Sequence, residues 1–302
     1  MALWRDRPRM EPGRGRIAPP LAAPLDASRV DIWLVRPEHA RERRLRRAYR
    51  ALLSADARRR TGEFYFARDR HRHLVTRALV RVCLSQYAPV PPRHWTFTEN
   101  EYGAPEIAGP ATRPPLRFNV SHTDGAIACA VGLDRQLGVD VESLDRRAPA
   151  MDVASRWLAP SEVASIRCQP EDDRPLRFLQ LWTLKEAYMK ARGMGFSLPI
   201  EQIVFDLDRR DGIGVAFGPA VGDDPGSWHC RLLRPTTRHV LAIATRRVPG
   251  YPFRPVLRPC LPLRGCLSPL NPPSRWIGST SADDEVACAG VVDGARLESR
   301  AR

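Results

Sequence analysis

The strongest constraint on the fold is a short run that alternates apolar and acidic residues, Val139-Asp140-Val141-Glu142, directly after Gly138. Side chains in a β-strand alternate between its two faces, so Val139 and Val141 are expected to face a core while Asp140 and Glu142 share the opposite face. Two carboxylates on one strand face repel each other unless a cation lies between them. The run therefore predicts a strand with one buried face and one face suited to a cation.

A second run, residues 182–193, predicts a helix that ends at Gly193, a natural helix stop. Glu186 and Lys190 are four residues apart, so they share one face of this helix, with Trp182 one turn earlier. Trp182 is interpreted as a core residue that braces the helix.

The strand and the helix together supply the groups of a metal–phosphate site. Asp140, Glu142 and Glu186 form an all-oxygen set that suits a hard cation such as Mg²⁺. Lys185 and Lys190 add positive charge for a phosphate held on that cation. Spacing alone fits an exposed strand edge and an ordinary helix surface better, so this assignment depends on further motifs.

Composition places the chain among soluble globular proteins with anionic partners. Lys and Arg number 48 against 34 Asp and Glu, which gives a net charge of +14 and favours nucleotides, acidic proteins or nucleic acid as partners. Part of this charge is expected to be a solvated face at 41–60. No apolar run is long enough for a membrane span. The seven scattered cysteines contain no C-x-x-C pair and predict reduced thiols in a cytoplasmic protein.

The predicted domain plan has four parts. Residues 1–28 are rich in Pro, Gly and Arg and are expected to be disordered, and residues 249–302 are expected to form an unstructured Pro-rich tail. The Pro-rich loop at 108–115 is the predicted boundary between an N-terminal half, 29–117, and a C-terminal half, 118–248, with the metal site.

Each half is expected to mix strands and helices. The first half has a predicted strand at 30–35, an arginine-rich helical segment at 37–60 in which Ser54 can cap a second helix, an amphipathic helix at 71–87 and a strand at 95–98. The second half has predicted strands at 126–131 and 137–142, helices at 151–158, 160–168 and 176–192, and closing strands at 203–207, 228–233 and 240–245.

Five motifs, taken in order, resemble the 4′-phosphopantetheinyl transferases of the surfactin-synthetase-activating (Sfp) type. They are EYGAP at 101–105, FNVSH at 118–122, GVDVE at 138–142, WTLKEAYMKARG at 182–193 and GFSL at 195–198. The resemblance runs from about residue 29 to about residue 247. It implies an α/β (α+β) fold that is a pseudo-dimer of two similar α/β halves, each a small, mostly antiparallel sheet packed with helices.

The resemblance also implies the reaction and the partners. An enzyme of this kind, of the holo-[acyl-carrier-protein] synthase type, moves the 4′-phosphopantetheine arm of coenzyme A to a serine of an acyl or peptidyl carrier protein and releases adenosine 3′,5′-bisphosphate. Mg²⁺ is the expected cofactor and coenzyme A the co-substrate. The protein is expected to be a monomer that binds neither nucleic acid nor membrane. The carrier protein is expected to dock on a basic, partly apolar surface near the helix that follows Glu142.

Site residues follow from the resemblance by position. The metal ligands are Asp140, Glu142 and Glu186. The catalytic residues are Glu186, Lys190, Lys185 and Glu162. The residues that bind coenzyme A are Arg60, Arg72, Gly103, Pro105, Ser121, His122 and Lys190. Ala104 departs from the family pattern, which commonly has lysine there, so the contact made by that lysine is missing, while backbone contacts to adenine remain open to Gly103 and Pro105.

Two other functions fit part of the sequence. A metal-dependent nuclease can use D-x-E on a strand with E-x-x-x-K on a helix, but it leaves residues 118–122 without a role. A basic nucleic-acid-binding protein fits the charge but has no recognisable reading module. A hydrolase based on Ser121 and His122 is disfavoured, because neighbours in an extended segment point to opposite sides.

Overall fold

The computed structural model describes residues 25–145, 154–210, 212–266 and 275–280. Its helices are α1 (Arg43–Leu52), α2 (Ala55–Glu63), α3 (Ala67–Leu84), α4 (Pro160–Arg167) and α5 (Arg174–Arg192). Its strands are β1 (Arg29–Val35), β2 (Thr96–Glu99), β3 (Pro105–Gly109), β4 (Leu116–Thr123), β5 (Ala126–Leu133), β6 (Leu137–Ser143), β7 (Ile203–Asp206), β8 (Gly214–Phe217), β9 (Trp228–Thr236), β10 (His239–Arg246), β11 (Arg254–Leu261), β12 (Gly265–Cys266) and β13 (Arg275–Ser279). Within these ranges no helix is both long and apolar enough to cross a membrane.

The first sheet has the strand order β12-β11-β1-β5-β4. Its central strand β1 is buried along its whole length because both of its faces are covered. Trp33 and Val35 pack with α1 and α3, while Val30, Ile32 and Leu34 pack against the second sheet. This double burial explains why the strand is apolar at almost every position rather than at alternate ones.

The second sheet has the order β13-β9-β10-β6. Leu233, Leu241 and Ile243 face the first sheet, and Leu232, Val240 and Ala242 face α5 on the other side. The layers therefore run helices, sheet, sheet, helix, with the two sheets back to back. The predicted mixed α+β fold of small, mostly antiparallel sheets packed with helices is confirmed.

The two sheets also meet edge to edge, at β4 and β6. The Asn119 side-chain oxygen accepts a hydrogen bond from the Val139 backbone N–H at 3.0 Å, and the Thr123 hydroxyl accepts one from the Ser143 N–H at 3.3 Å. Polar side chains of one sheet thus replace the missing ladder partner of the other. This junction places the FNVSH and GVDVE motifs side by side.

The partition of the chain differs from the predicted domain plan. The boundary predicted between 117 and 118 falls inside β4, and both β4 and β5 belong to the first sheet. The Pro-rich loop at 108–115 separates β3 from β4 and does not separate the two sheets. The chain passes from the first sheet to the second in the short turn between Leu133 and Leu137.

The segment after residue 249 also differs from its prediction. Residues 254–261 form β11, which pairs in parallel with β1. Cys260 in this strand and Phe253 just before it are both buried. The two prolines of β11, Pro255 and Pro259, are four residues apart, so their missing N–H groups point to one side. The edge of β11 away from β1 pairs with β12 only at Cys260 and Leu261, and the rest of that edge tolerates prolines. The predictions for residues 1–24, 267–274 and 281–302 lie outside the described residues.

Candidate active site

Strand β6 holds two carboxylates against α5, as its alternation predicts. Gly138, Asp140 and Glu142 share the face toward this helix, and both carboxylate side chains are largely buried. Gly138 is required by the close approach, since a Cβ there would lie 2.1 Å from the carbonyl oxygen of Ala187. A glycine at the base of the strand therefore brings the carboxylates within reach of α5.

Three side chains form the centre of the site. Lys190 Nζ lies 2.6 Å from Asp140 Oδ1 and 3.0 Å from Ser121 Oγ, and Ser121 donates its hydroxyl hydrogen to Asp140 Oδ1 at 2.7 Å. The other oxygen, Asp140 Oδ2, is buried without a hydrogen-bond partner in the described part of the chain. A buried carboxylate oxygen with nothing to bind is suited to a ligand that supplies positive charge.

The two remaining carboxylates surround the same ammonium group. Glu186 Oε2 lies 3.9 Å from Lys190 Nζ, and Glu142 Oε2 is 3.4 Å from the Thr123 hydroxyl. Burial by itself would lower the pKa of Lys190, but Asp140, Glu186 and Glu142 together raise it above its ordinary value. The predicted acidic set is therefore brought together, and Lys190 is the cation at its centre.

The donor set fits a hard divalent cation in chemistry, because all of its ligands are oxygens. Across the residues that the structure describes, however, no three Asp, Glu, His or Cys side chains stand in an arrangement that could hold a metal. The carboxylates converge on the Lys190 ammonium instead. A metal therefore has to share this position with Lys190 or displace it.

A set of cationic side chains borders the carboxylates on the first-sheet side. Burial lowers the pKa of His122, and the positive charges of Arg72 and Lys190 lower it further. Burial also lowers the pKa of His73, to about 4, with contributions from Arg77, His122 and Arg60. The charge of Arg72 thus acts on His122, and the charge of Arg60 acts on His73, which His122 also affects.

A cavity of about 310 Å³ opens beside Arg72. Arg41, Arg46 and Arg68 also line it, and the sequence interpretation assigned none of them because arginines in that region looked like surface charge. Arg72 is held by Asp69 at 2.6 Å. The signal that could have identified Arg68 is its position one helical turn before Arg72 on the same helix.

The EYGAP motif is fixed next to the end of α5. Gly103 takes a left-handed conformation with φ 85°, which glycine adopts without strain. The Asn100 side chain accepts from the N–H groups of Tyr102 and Ala104 and donates to the carbonyl of Gly193 at 2.8 Å. Asn100, which the sequence interpretation did not assign, thus ties the loop that carries Gly103 to the helix that carries Lys190.

Lys185 and Glu162 are brought together, but at a different place. They form an ion pair of 2.7 Å with both side chains fully buried. Lys185 also donates to the carbonyl of Ile200, and Glu162 accepts from the N–H groups of Ala159 and Phe205. Burial raises the pKa of Glu162 and lowers that of Lys185, and their mutual attraction opposes both shifts. This geometry describes a structural crosslink between α4, α5 and β7, and it differs from the catalytic roles predicted for the two residues.

Comparison with known proteins defines the class of protein to which this fold and this site belong. The family model described as 4′-phosphopantetheinyl transferase superfamily matches residues 136–244. A second, described as 4′-phosphopantetheinyl transferase, N-terminal, matches residues 39–132. The two matches meet at the turn between β5 and β6, where the sheets also divide.

Similar individual proteins carry the same description. The 4′-phosphopantetheinyl transferase HetI of Nostoc sp. is 31% identical over 205 residues, which are 68% of this chain and 82% of that protein. A 4′-phosphopantetheinyl transferase of Bacillus subtilis is 31% identical over 175 residues, 58% of this chain and 75% of that protein. The 4′-phosphopantetheinyl transferase Sfp of Bacillus subtilis is 28% identical over 153 residues, which are 51% of this chain and 66% of that protein. The chain belongs to the 4′-phosphopantetheinyl transferase superfamily.

Proposed function

We propose that this protein transfers the 4′-phosphopantetheine arm of coenzyme A to a serine of an acyl or peptidyl carrier protein, in the presence of Mg²⁺, and releases adenosine 3′,5′-bisphosphate. The observation that carries the proposal is the convergence of Asp140, Glu142 and Glu186 on Lys190 next to the cations around His122. Coenzyme A carries a pyrophosphate and a separate phosphate monoester. Binding both requires the carboxylate and lysine cluster as well as the neighbouring cationic side chains.

Coenzyme A would be held along the junction of the two sheets. Arg60, Arg72 and His122 would bind its 3′-phosphate, because guanidinium groups bind phosphate through two parallel hydrogen bonds. Lys190 would contact the pyrophosphate. The backbone around Gly103 and Pro105 would contact adenine, and Ser121 would orient Lys190 through their 3.0 Å contact.

Asp140, Glu142 and Glu186 would hold Mg²⁺, which supplies charge neutralisation of the pyrophosphate when bound. The protein must then place the carrier serine in line with the β-phosphorus and accept its proton. The serine oxygen forms a bond to that phosphorus, and the bond to the bridging oxygen of the pyrophosphate breaks. Glu186, with its carboxylate at the edge of the cluster, is the proposed proton acceptor.

The positive charge of Lys190 would serve the leaving group. As the bridging bond breaks, negative charge develops on the departing bisphosphate, and a fixed ammonium group stabilises it in the transition state. The 2.6 Å contact with Asp140 keeps this ammonium protonated and aligned. The roles of Lys190 and Asp140 are therefore linked, and losing either one should disturb both charge and geometry.

Intact mass spectrometry of a small carrier protein, incubated with coenzyme A, Mg²⁺ and this enzyme, tests the proposal. We expect a gain of one phosphopantetheine, which disappears in Asp140→Asn and persists in Asp172→Asn, a matched change at an exposed helix-start position. Unmodified carrier proteins of both the acyl and the peptidyl type would refute the transfer. Cleavage of DNA or RNA under the same conditions would favour the nuclease instead.

A further inference from the structure

The outer face of α1 carries a row of exposed arginines. Arg43, Arg46, Arg47 and Arg50 recur three or four positions apart, so they share one face of the helix, and all four are exposed. Together they line a groove of about 290 Å³. We call these four residues the arginine stripe, which is about 10 Å long at the helical rise of 1.5 Å per residue.

The arginine stripe lacks the ion pairs that an arginine makes on the next helix. On α2, Arg59 lies 3.3 Å from Asp56 and 3.9 Å from Glu63, both on the same helix. Across the residues that the structure describes, no carboxylate forms an ion pair with a member of the stripe. Glu42, the acidic residue nearest to the stripe in sequence, pairs with Arg264 instead. The charge of the stripe is therefore not balanced within its own helix.

This arrangement of charge is unfavourable for α1 by itself. Like charges three or four residues apart destabilise a helix, and the stripe contains four such pairs: Arg43 with Arg46 and with Arg47, and Arg50 with Arg46 and with Arg47. The first turn of α1 also holds Arg43 and Arg44 and no acidic residue, although the positive end of the helix dipole disfavours cations there. A polyanion bound along the stripe would relieve both effects.

The surroundings of the stripe favour an acidic helix as that polyanion. Ala48 and Ala51 lie beside the stripe and are at least partly exposed, and such small side chains let a second helix approach closely. The large side chains Leu45 and Tyr49 are buried. The structure describes all of α1, and this helix offers no exposed aromatic ring for base stacking and no exposed large apolar side chain for a lipid surface.

We propose that the arginine stripe binds an acidic helix of a partner protein, whose carboxylates recur at the same three- and four-residue spacing. Guanidinium groups bind carboxylates through two parallel hydrogen bonds, which also fixes the register of the two helices. The stripe lies on the helix that covers the outer side of the first sheet, whereas Asp140 lies on β6 in the second sheet. The proposal therefore does not depend on the transfer reaction.

The test measures binding of a labelled helical peptide to the full chain by fluorescence anisotropy at constant ionic strength. The first peptide has about four helical turns and carries its glutamates on one face at three- and four-residue spacing. A second peptide has the same composition, with its glutamates spread around the helix. We expect the full chain to bind the first peptide about tenfold more tightly, because several weak exposed ion pairs together give a factor of this size.

A triple variant of the stripe should lose this preference. Arg46 also borders the cavity beside Arg72 and is left unchanged, so the variant is Arg43→Gln, Arg47→Gln and Arg50→Gln. A matched control removes the same charge at three exposed arginines elsewhere and should keep the preference: Arg58→Gln, Arg113→Gln and Arg167→Gln.

Melting temperatures show whether the stripe has a structural role. Its side chains are exposed and repel one another, so the stripe variant should melt at the same temperature as the wild type or higher. The first peptide should raise the melting temperature of the wild type and not that of the stripe variant, since a ligand stabilises only the form that binds it. A large loss of melting temperature in the stripe variant would mean that these arginines stabilise the fold, and would overturn the proposal.

Three binding results would also overturn it. Equal binding of the two peptides, or a preference that survives in the stripe variant, would mean that net charge alone attracts them. Tighter, stripe-dependent binding of a single- or double-stranded oligonucleotide of equal charge would identify a nucleic acid as the partner. A gain in peptide affinity on replacing the acidic run Asp283-Asp284-Glu285 by amides in the full chain would mean that the chain occupies its own stripe.

Discussion

Replacing Lys185 with methionine is expected to destabilise the protein strongly, because it leaves the Glu162 carboxylate buried without its counter-charge. Both side chains are fully buried, and their 2.7 Å contact is the charge compensation for each. Breaking a buried pair by removing one partner costs about 3–5 kcal/mol. For a domain of this size, each kcal/mol lowers the melting temperature by about 2–4 °C, so a loss of roughly 6–20 °C is expected.

Thermal and denaturant unfolding of Lys185→Met measures this loss, and Arg177→Met on the same helix is the control. Arg177 pairs with Asp208, whose side chain is 51% exposed, so its replacement leaves no buried carboxylate and should cost much less stability. The double variant Glu162→Gln with Lys185→Met should regain part of the loss, since no buried charge is left. A fully stable Lys185→Met that has lost transfer would refute the structural role and support the catalytic one.

Three further outcomes are expected. Asp140→Asn or Glu186→Ala should abolish transfer, measured by carrier-protein mass, because removing one carboxylate takes away a ligand and a negative charge from a hard cation. Neither change should lower the melting temperature by more than a few degrees. A chain that ends at residue 248 should be markedly less stable in urea unfolding than one that ends at 280, since it lacks Phe253 and the strand paired with β1; equal stability would mean that β11 contributes nothing. His229, with its pKa lowered to about 4 by burial and nearby arginines, stays neutral in the fold while the unfolded chain binds a proton from about pH 6.5 downward. Stability should therefore fall by up to about 3 kcal/mol between pH 6.5 and pH 4, and His229→Gln should show a shallower fall in urea unfolding at these two pH values.

The sequence predicted the parts of this fold that depend on local periodicity. The alternation in β6 placed Asp140 and Glu142 on one face, and the position of Ser54 before α2 predicted the cap that its side chain provides to the Ala57 N–H. Such signals depend on side-chain direction and backbone donors within a few residues. The strands β3 and β8 gave no comparable signal, because each is short and only partly buried.

What could not be predicted depends on contacts between distant residues. The strand β11 is stabilised by pairing with β1, more than 200 positions earlier in the chain, and its prolines are typical of a tail when they are considered alone. The division between the halves was misplaced for a similar reason. Pro-rich loops often separate domains, but here β4 and β5 continue the first sheet beyond that loop, and only strand pairing shows this.

The two lysines show where local geometry could have gone further. The chain has only two lysines against forty-six arginines, and both lie on α5. At about 100° per residue, five positions turn a helix through about 500°, so Lys185 and Lys190 point roughly 140° apart. Both cannot serve one phosphate. Leu181, Tyr188 and Met189, which lie three or four positions from Lys185 and share its helix face, put Lys185 on the buried side. In a chain this rich in arginine, each lysine occupies a place where a compact ammonium has specific partners: Lys185 in a fully buried ion pair, and Lys190 among three carboxylates. An arginine at either position would need room for a planar group with five donors. The two lysines of the sequence therefore mark the two positions where the structure gives a compact ammonium group specific partners.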